Sequence, residues 1–63
     1  MKVELKKNCI MNKATYYEII GDNGLWDAYL IKDNRGVWFV VEGECNFSAE
    51  ELEAVAQAMK ELK

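Results

Sequence analysis

Cys9, Cys45, Ser48 and Thr15 are the side chains able to act as nucleophiles, and Glu42, Glu44, Glu50 and Glu51 are the carboxylates clustered closely enough to attract a cation. The chain has no histidine, so the usual proton shuttle at neutral pH is missing. A reactive thiolate needs a neighbouring cation or a helix N-terminus. Cys45 lies nearer to such a terminus, which makes a thiol-dependent activity at Cys45 the reaction to test. Ser48 is better explained as a helix cap, and Thr15 sits in a strand pattern with no identifiable base. The turn segments Asp22-Asn23-Gly24 and Asp33-Asn34-Arg35-Gly36 are too short for a calcium loop, and no glutamate closes them at the required distance. The four glutamates therefore read as a solvated acidic rim. Cys9 and Cys45 form no C-x-x-C pair and cannot complete a zinc set. They read as two reduced, mostly buried thiols; a Cys9–Cys45 disulfide, stapling the N-terminal segment to the start of the helix, is the alternative. Gly21 and Gly24 read as hairpin glycines, because no Gly-rich loop precedes a helix. No catalytic residue, no metal ligand and no cofactor is expected, and the chain reads as a non-enzyme.

The element with the most consistent signals is the last third, from Phe47 to Lys63. Ser48 suits the N-cap, Glu51 completes a capping box, and Phe47 and Leu52 stand where a hydrophobic staple would. Leu52, Val55, Ala56, Met59 and Leu62 recur as one apolar stripe over a helix spanning 48–62. Glu50 and Glu51 complement its positive end, Lys60 and Lys63 its negative end.

Upstream, Ala14 to Ile20, Leu25 to Lys32 and Gly36 to Glu42 are rich in β-branched and aromatic residues and read as strands. Gly21-Asp22-Asn23-Gly24 and Asp33-Asn34-Arg35-Gly36 join them as hairpin turns. Before these, Val3 and Leu5 alternate with Lys2, Glu4 and Lys6, a pattern that Lys7 and Asn8 end. Cys9-Ile10-Met11 has no clear period, and Asn12-Lys13 looks like a turn. The expected architecture is α+β: a three- or four-stranded antiparallel meander with one C-terminal helix across one face. It forms a single domain, 1–63, with 1–13 as an N-terminal strand or arm, 14–42 as the meander and 48–62 as the helix.

Two-residue turns at Asp22-Asn23 and Asn34-Arg35 would set Ile19 opposite Trp26, Tyr17 opposite Ala28, Leu30 opposite Phe39 and Ala28 opposite Val41. Tyr17, Ile19, Trp26, Ala28, Leu30, Val37, Phe39 and Val41 then share the drier face, assigned to the helix. A slip of one residue at the first turn would exchange the faces of that strand. The second face holds Tyr16, Tyr29, Ile31, Trp38 and Val40, interrupted by Glu18, Asp27 and Glu42. A single helix cannot cover both faces. Either the first segment folds over the second face, or Tyr16, Tyr29, Ile31, Trp38 and Val40 bind a partner. The run Val37-Trp38-Phe39-Val40-Val41 needs covering too, because a bare apolar edge invites aggregation. A homodimer would meet both needs.

Composition limits the partners. Half of the residues are hydrophobic (51%), which suits a globular domain rather than a disordered one, and the net charge of −3 argues against a dedicated nucleic-acid binder. The sequence Trp26-x-Ala28 through Arg35, Trp38 and Phe47-Ser48-x-Glu50-Glu51 loosely resembles the plant AP2 domain and the arm-binding domain of phage integrases, over about 35 residues. That resemblance implies a sheet backed by a helix and, in those families, insertion of the sheet into a nucleic-acid groove. Their strands carry several Arg and Lys where this chain has Leu25, Asp27, Tyr29, Val40 and Glu42, so the likeness is one of topology. A small protein-interaction module acting through its aromatic sheet face, alone or as a homodimer, is the expected function; a sheet-type nucleic-acid-binding module is the alternative. The charged N-terminus and the lack of a long apolar run predict a cytoplasmic protein without a membrane segment.

Overall fold

The computed structural model describes residues 1–62; Lys63, expected to complement the end of the helix, lies outside the described residues. Among these the order is β1 (Glu4–Met11), β2 (Ala14–Gly21), β3 (Gly24–Asp33), β4 (Gly36–Val41) and α1 (Ala49–Glu61). The strands form an antiparallel sheet in the order β1-β2-β3-β4, with the helix packed on one face. No helix among the described residues is long and apolar enough to cross a membrane.

The first segment is a full strand, and Lys7-Asn8 does not end it. Asn12 and Lys13 take φ of 51° and 65°, the left-handed pair of a tight hairpin turn, and set Met11 opposite Ala14. The register then shifts between Lys7 and Cys9, leaving Asn8 as an extra residue in a β-bulge. A bulge resets the alternation of faces. That is why Cys9-Ile10-Met11 shows no continuous period with Val3 and Leu5.

A second irregularity corrects the β2–β3 register. Gly21 faces Gly24 and Ile20 faces Leu25, as the Asp22-Asn23 turn requires. Beyond a shift between Glu18 and Ile20, however, Tyr17 faces Leu30 rather than Ala28, and Ile19 no longer faces Trp26 in register. β3 gains two residues on β2 here. An even offset preserves which side chains share a face, so the division of the sheet into two faces survives. β3 and β4 pair as expected, with Leu30 opposite Phe39 and Ala28 opposite Val41.

The core lies between sheet and helix. Ile19, Ala28 and Leu30, with Val3 from the N-terminus, pack on Ala54, Val55 and Ala58. Ser48 caps the helix: its Oγ accepts from the Glu51 N–H at 3.1 Å, and the Glu51 carboxylate accepts from the Ser48 N–H at 2.8 Å. Such a cap contributes about 1 kcal/mol. The buried stripe is rotated from the expected one. Val55 is buried and Met59 and Leu62 pack at the margin, but Ala54 and Ala58 occupy the places expected for Leu52 and Ala56, which are exposed. Two alanines let the helix backbone come close to the sheet, and their small side chains barely register in a hydrophobic pattern. Phe47 lies 5.0 Å from the ring of Trp26 and 5.6 Å from that of Phe39, while Leu52, its expected staple partner, is 48% exposed.

The β3–β4 turn carries a titrating group. The backbone N–H of Arg35 donates to Asp33 Oδ1 at 2.7 Å, its guanidinium lies 3.2 Å from Oδ2, and the Gly36 N–H donates at 3.3 Å. Chiefly through the Arg35 backbone N–H, the Asp33 carboxyl is held below the ordinary carboxylate range. A carboxyl with a depressed folded-state pKa stabilises the fold above its unfolded titration, and the contribution is lost as pH falls through the folded value. Thermal melts of wild type and Asp33→Asn should therefore differ at neutral pH, with wild type the more stable, and the gap should begin to close near the ordinary aspartate value of 3.8 and vanish only below the depressed folded one. A gap that persists unchanged into strong acid would refute this assignment.

Candidate functional site

The face away from the helix is built in rows across the strands. One row runs Cys9, Tyr16, Ile31 and Trp38; the next runs Lys6, Glu18, Tyr29 and Val40. The five side chains expected to meet a partner, Tyr16, Tyr29, Ile31, Trp38 and Val40, therefore occupy adjacent positions on three neighbouring strands. Tyr16 and Tyr29 lie diagonally, their ring centroids 5.8 Å apart and their planes inclined at 32°. This is a favourable offset for two aromatic rings.

The first segment does not fold over this face. β1 lies in the plane of the sheet beside β2. Trp38 is 42% exposed, and Tyr16, Tyr29, Ile31 and Val40 are half-buried. The Arg35 guanidinium carbon stands 5.4 Å from the centroid of the Trp38 ring, within the range of a cation–π contact. It leaves the rest of the indole open.

Three further residues of the face were missed by sequence reasoning. Cys9 and Met11 join it because the bulge at Asn8 sends them to the side of Tyr16 and Ala14. Counting back from the Asn12-Lys13 turn was the signal that could have placed them. Arg35 reaches the face only by folding back from the turn over Trp38. Cys9 is thus an exposed residue, a correction to its expected burial, and both cysteines are free.

Charge divides the face in two. Cys9, Met11, Ile31 and Trp38 make an apolar half near the β1–β2 and β3–β4 turns. Toward the other end, a depression of about 270 Å³ opens where the β2–β3 register shifts, with Glu18, Asp27 and Glu42 beside Tyr16, Tyr29 and Asn8. Carboxylates interleaved with tyrosines suit a basic ligand group and repel phosphate.

The nucleophile candidates fall elsewhere. Ser48 is committed to the helix cap. Thr15 lies in β2 between Ile10 and Lys32. The Cys45 thiol points toward two carbonyl oxygens, Glu42 O at 3.5 Å and Asp27 O at 3.9 Å, and neither contact supplies the cation that activates a thiol. Among the described residues, no three His, Cys, Asp or Glu side chains gather closely enough to hold a metal ion. No protein-family model matches the chain, and no curated protein or solved structure is significantly similar to it.

Proposed function

We propose that the chain is a small non-enzymatic interaction module that docks on another protein through the outer face of its sheet. What supports this is the uncovered row Tyr16–Ile31–Trp38, flanked by Tyr29 and Val40, on the side of the sheet that the helix leaves open. Aromatic side chains with open faces are the residues that carry binding energy when water is expelled around them. The fitting partner presents an apolar side chain to Trp38 and Ile31 and a Lys or Arg to Glu18, Asp27 and Glu42.

The test is photo-crosslinking from a reactive residue at position 38, with position 50 on the exposed helix as control, followed by affinity measurement on the captured protein. Trp38→Ala and Tyr29→Ala should each weaken binding by about tenfold or more, about 1.4 kcal/mol, while leaving the melting temperature within a few degrees. Equal capture from positions 38 and 50 would sink the reading. Tight, salt-dependent binding of single-stranded nucleic acid by the same tyrosines would replace it with the nucleic-acid alternative.

A further inference from the structure

We infer that β4 pairs edge to edge with β4 of a second copy, antiparallel and about a two-fold axis at Phe39, forming one continuous eight-stranded sheet. This goes beyond the docking face, because it uses the edge of the sheet and one flank of the helix, and touches the outer face only at Arg35 and Glu42.

The backbone phase follows from two observations. Asp33 and Gly36 close the turn, and the Glu42 N–H donates to Asp27 O at 2.9 Å. Alternate residues of an antiparallel pair exchange hydrogen bonds. Gly36, Trp38, Val40 and Glu42 therefore bond inward to β3, and Val37, Phe39 and Val41 turn their N–H and C=O groups outward. This outward edge carries none of the usual protection. β4 has no proline, no lysine and no bulge against β3, whereas the β1 edge has Lys6, Lys7 and a bulge. The loop after β4 does not cover the edge either. It turns back over the sheet, with Cys45 directed at Asp27 O and Phe47 against Trp26 and Phe39.

Charge selects the orientation and the occupant. Arg35 precedes β4, and Glu42 and Glu44 follow it. Within one protomer Arg35 and Glu42 stand roughly 23 Å apart along the strand. A two-fold axis at Phe39 sets Gly36 across from the partner's Glu42, bringing the adjoining Arg35 to the end of the partner's strand where that carboxylate stands, and does so twice. Arg35 already leans over Trp38 on the face that Glu42 shares with Val40. Parallel pairing would set like charges together instead.

Apolar surface continues across the same seam. Val37, Ala56, Met59 and Lys60 line a groove of about 300 Å³ between the helix and β4. In the inferred register the partner's Val41, 41% exposed in the single chain, lies opposite Val37 at the foot of this groove. Leu52, one helical turn before Ala56, lies on the same flank. The half of the apolar stripe that the protomer leaves uncovered thus faces its equivalent across the axis, and the two helices run antiparallel on one side of the sheet.

The experiment is sedimentation of the full chain from low micromolar to near-millimolar concentration, with amide exchange read by NMR over the same range. A dimer is expected to form, and the Val37, Phe39 and Val41 amides to slow about tenfold or more with it, while that of Glu53 does not change. Arg35→Glu and Glu42→Arg should each weaken the dimer by about tenfold, and the double variant should recover most of the loss. Val41→Lys, at an exposed edge position, should abolish the dimer while leaving the fold intact. A monomer at every concentration would overturn the inference, as would a dimer whose edge amides stay fast or a double variant as weak as its parts predict. A dimer dissolved by Trp38→Ala with edge amides unprotected would move the contact to the outer face. Protection of Val37, Phe39 and Val41 only on adding another protein would replace the second copy with a foreign strand.

Discussion

Leu30→Ala should leave most of the protein unfolded at room temperature. Leu30 is fully buried, set between Tyr17 on β2 and Phe39 on β4, within the cluster that meets the helix. Truncating a buried leucine costs about 2–5 kcal/mol, because the lost transfer energy is joined by a cavity that the surroundings refill only in part. A domain of this size rarely holds more than about 3–5 kcal/mol. The substitution therefore removes a large share of the total. Urea denaturation followed by circular dichroism measures it: the variant should show little or no native baseline. Leu25→Ala supplies the contrast, since Leu25 is 63% exposed and its loss should change stability by less than about 0.5 kcal/mol. Comparable losses at the two positions would mean that the core is not where the packing puts it.

Gly21→Ala is the second large effect, for the opposite reason. A Cβ at Gly21 would run into the Trp26 indole at Nε1, and the ring has little room to retreat because Phe47 lies 5.0 Å from it on the same face. Overfilling such a site costs about 1–3 kcal/mol. The physical content is a pairwise clash, so the cost must depend on the indole. In a Trp26→Leu background the added methyl group should be nearly neutral, giving a coupling of about 1 kcal/mol or more in a double-mutant cycle. Additive losses would place the strain in the backbone of the turn and not at the ring. Together with the capped helix start, this Gly21–Trp26–Phe47 contact ties the β2–β3 turn to the entry of the helix. It explains how a single helix is held in place over so small a sheet.

Much of this architecture is set locally and can be read from residue order. The capping box at Ser48 and Glu51 is a bond between neighbours in the chain, so it needs no tertiary context. The Asn34-Arg35 turn and the two-residue period of β3 and β4 likewise fix Leu30 opposite Phe39 and Ile31 opposite Trp38. Tyr29, Ile31, Trp38 and Val40 are legible on one face for the same reason, whereas Tyr16 on β2 joins them only because the shift between β2 and β3 is even. The two shifts in register were not legible. At Asn8 one residue leaves the ladder and near Ile19 β3 gains two residues on β2; residue types mark neither place, although counting back from the Asn12-Lys13 turn puts Cys9 and Met11 beside Tyr16 and Ala14. The first shift moved Cys9 and Met11 onto the outer face; the second changed partners while sparing the faces only because its offset is even. The side of the helix that is buried was also decided by packing, since Ala54 and Ala58 win over Leu52 and Ala56 by how closely they let two backbones approach. Residue types alone determined which side chains travel together, because a strand's geometry is intrinsic to it. Which edge of the sheet stays open, and which flank of the helix is left beside it, exists only once four strands and a helix have taken their places.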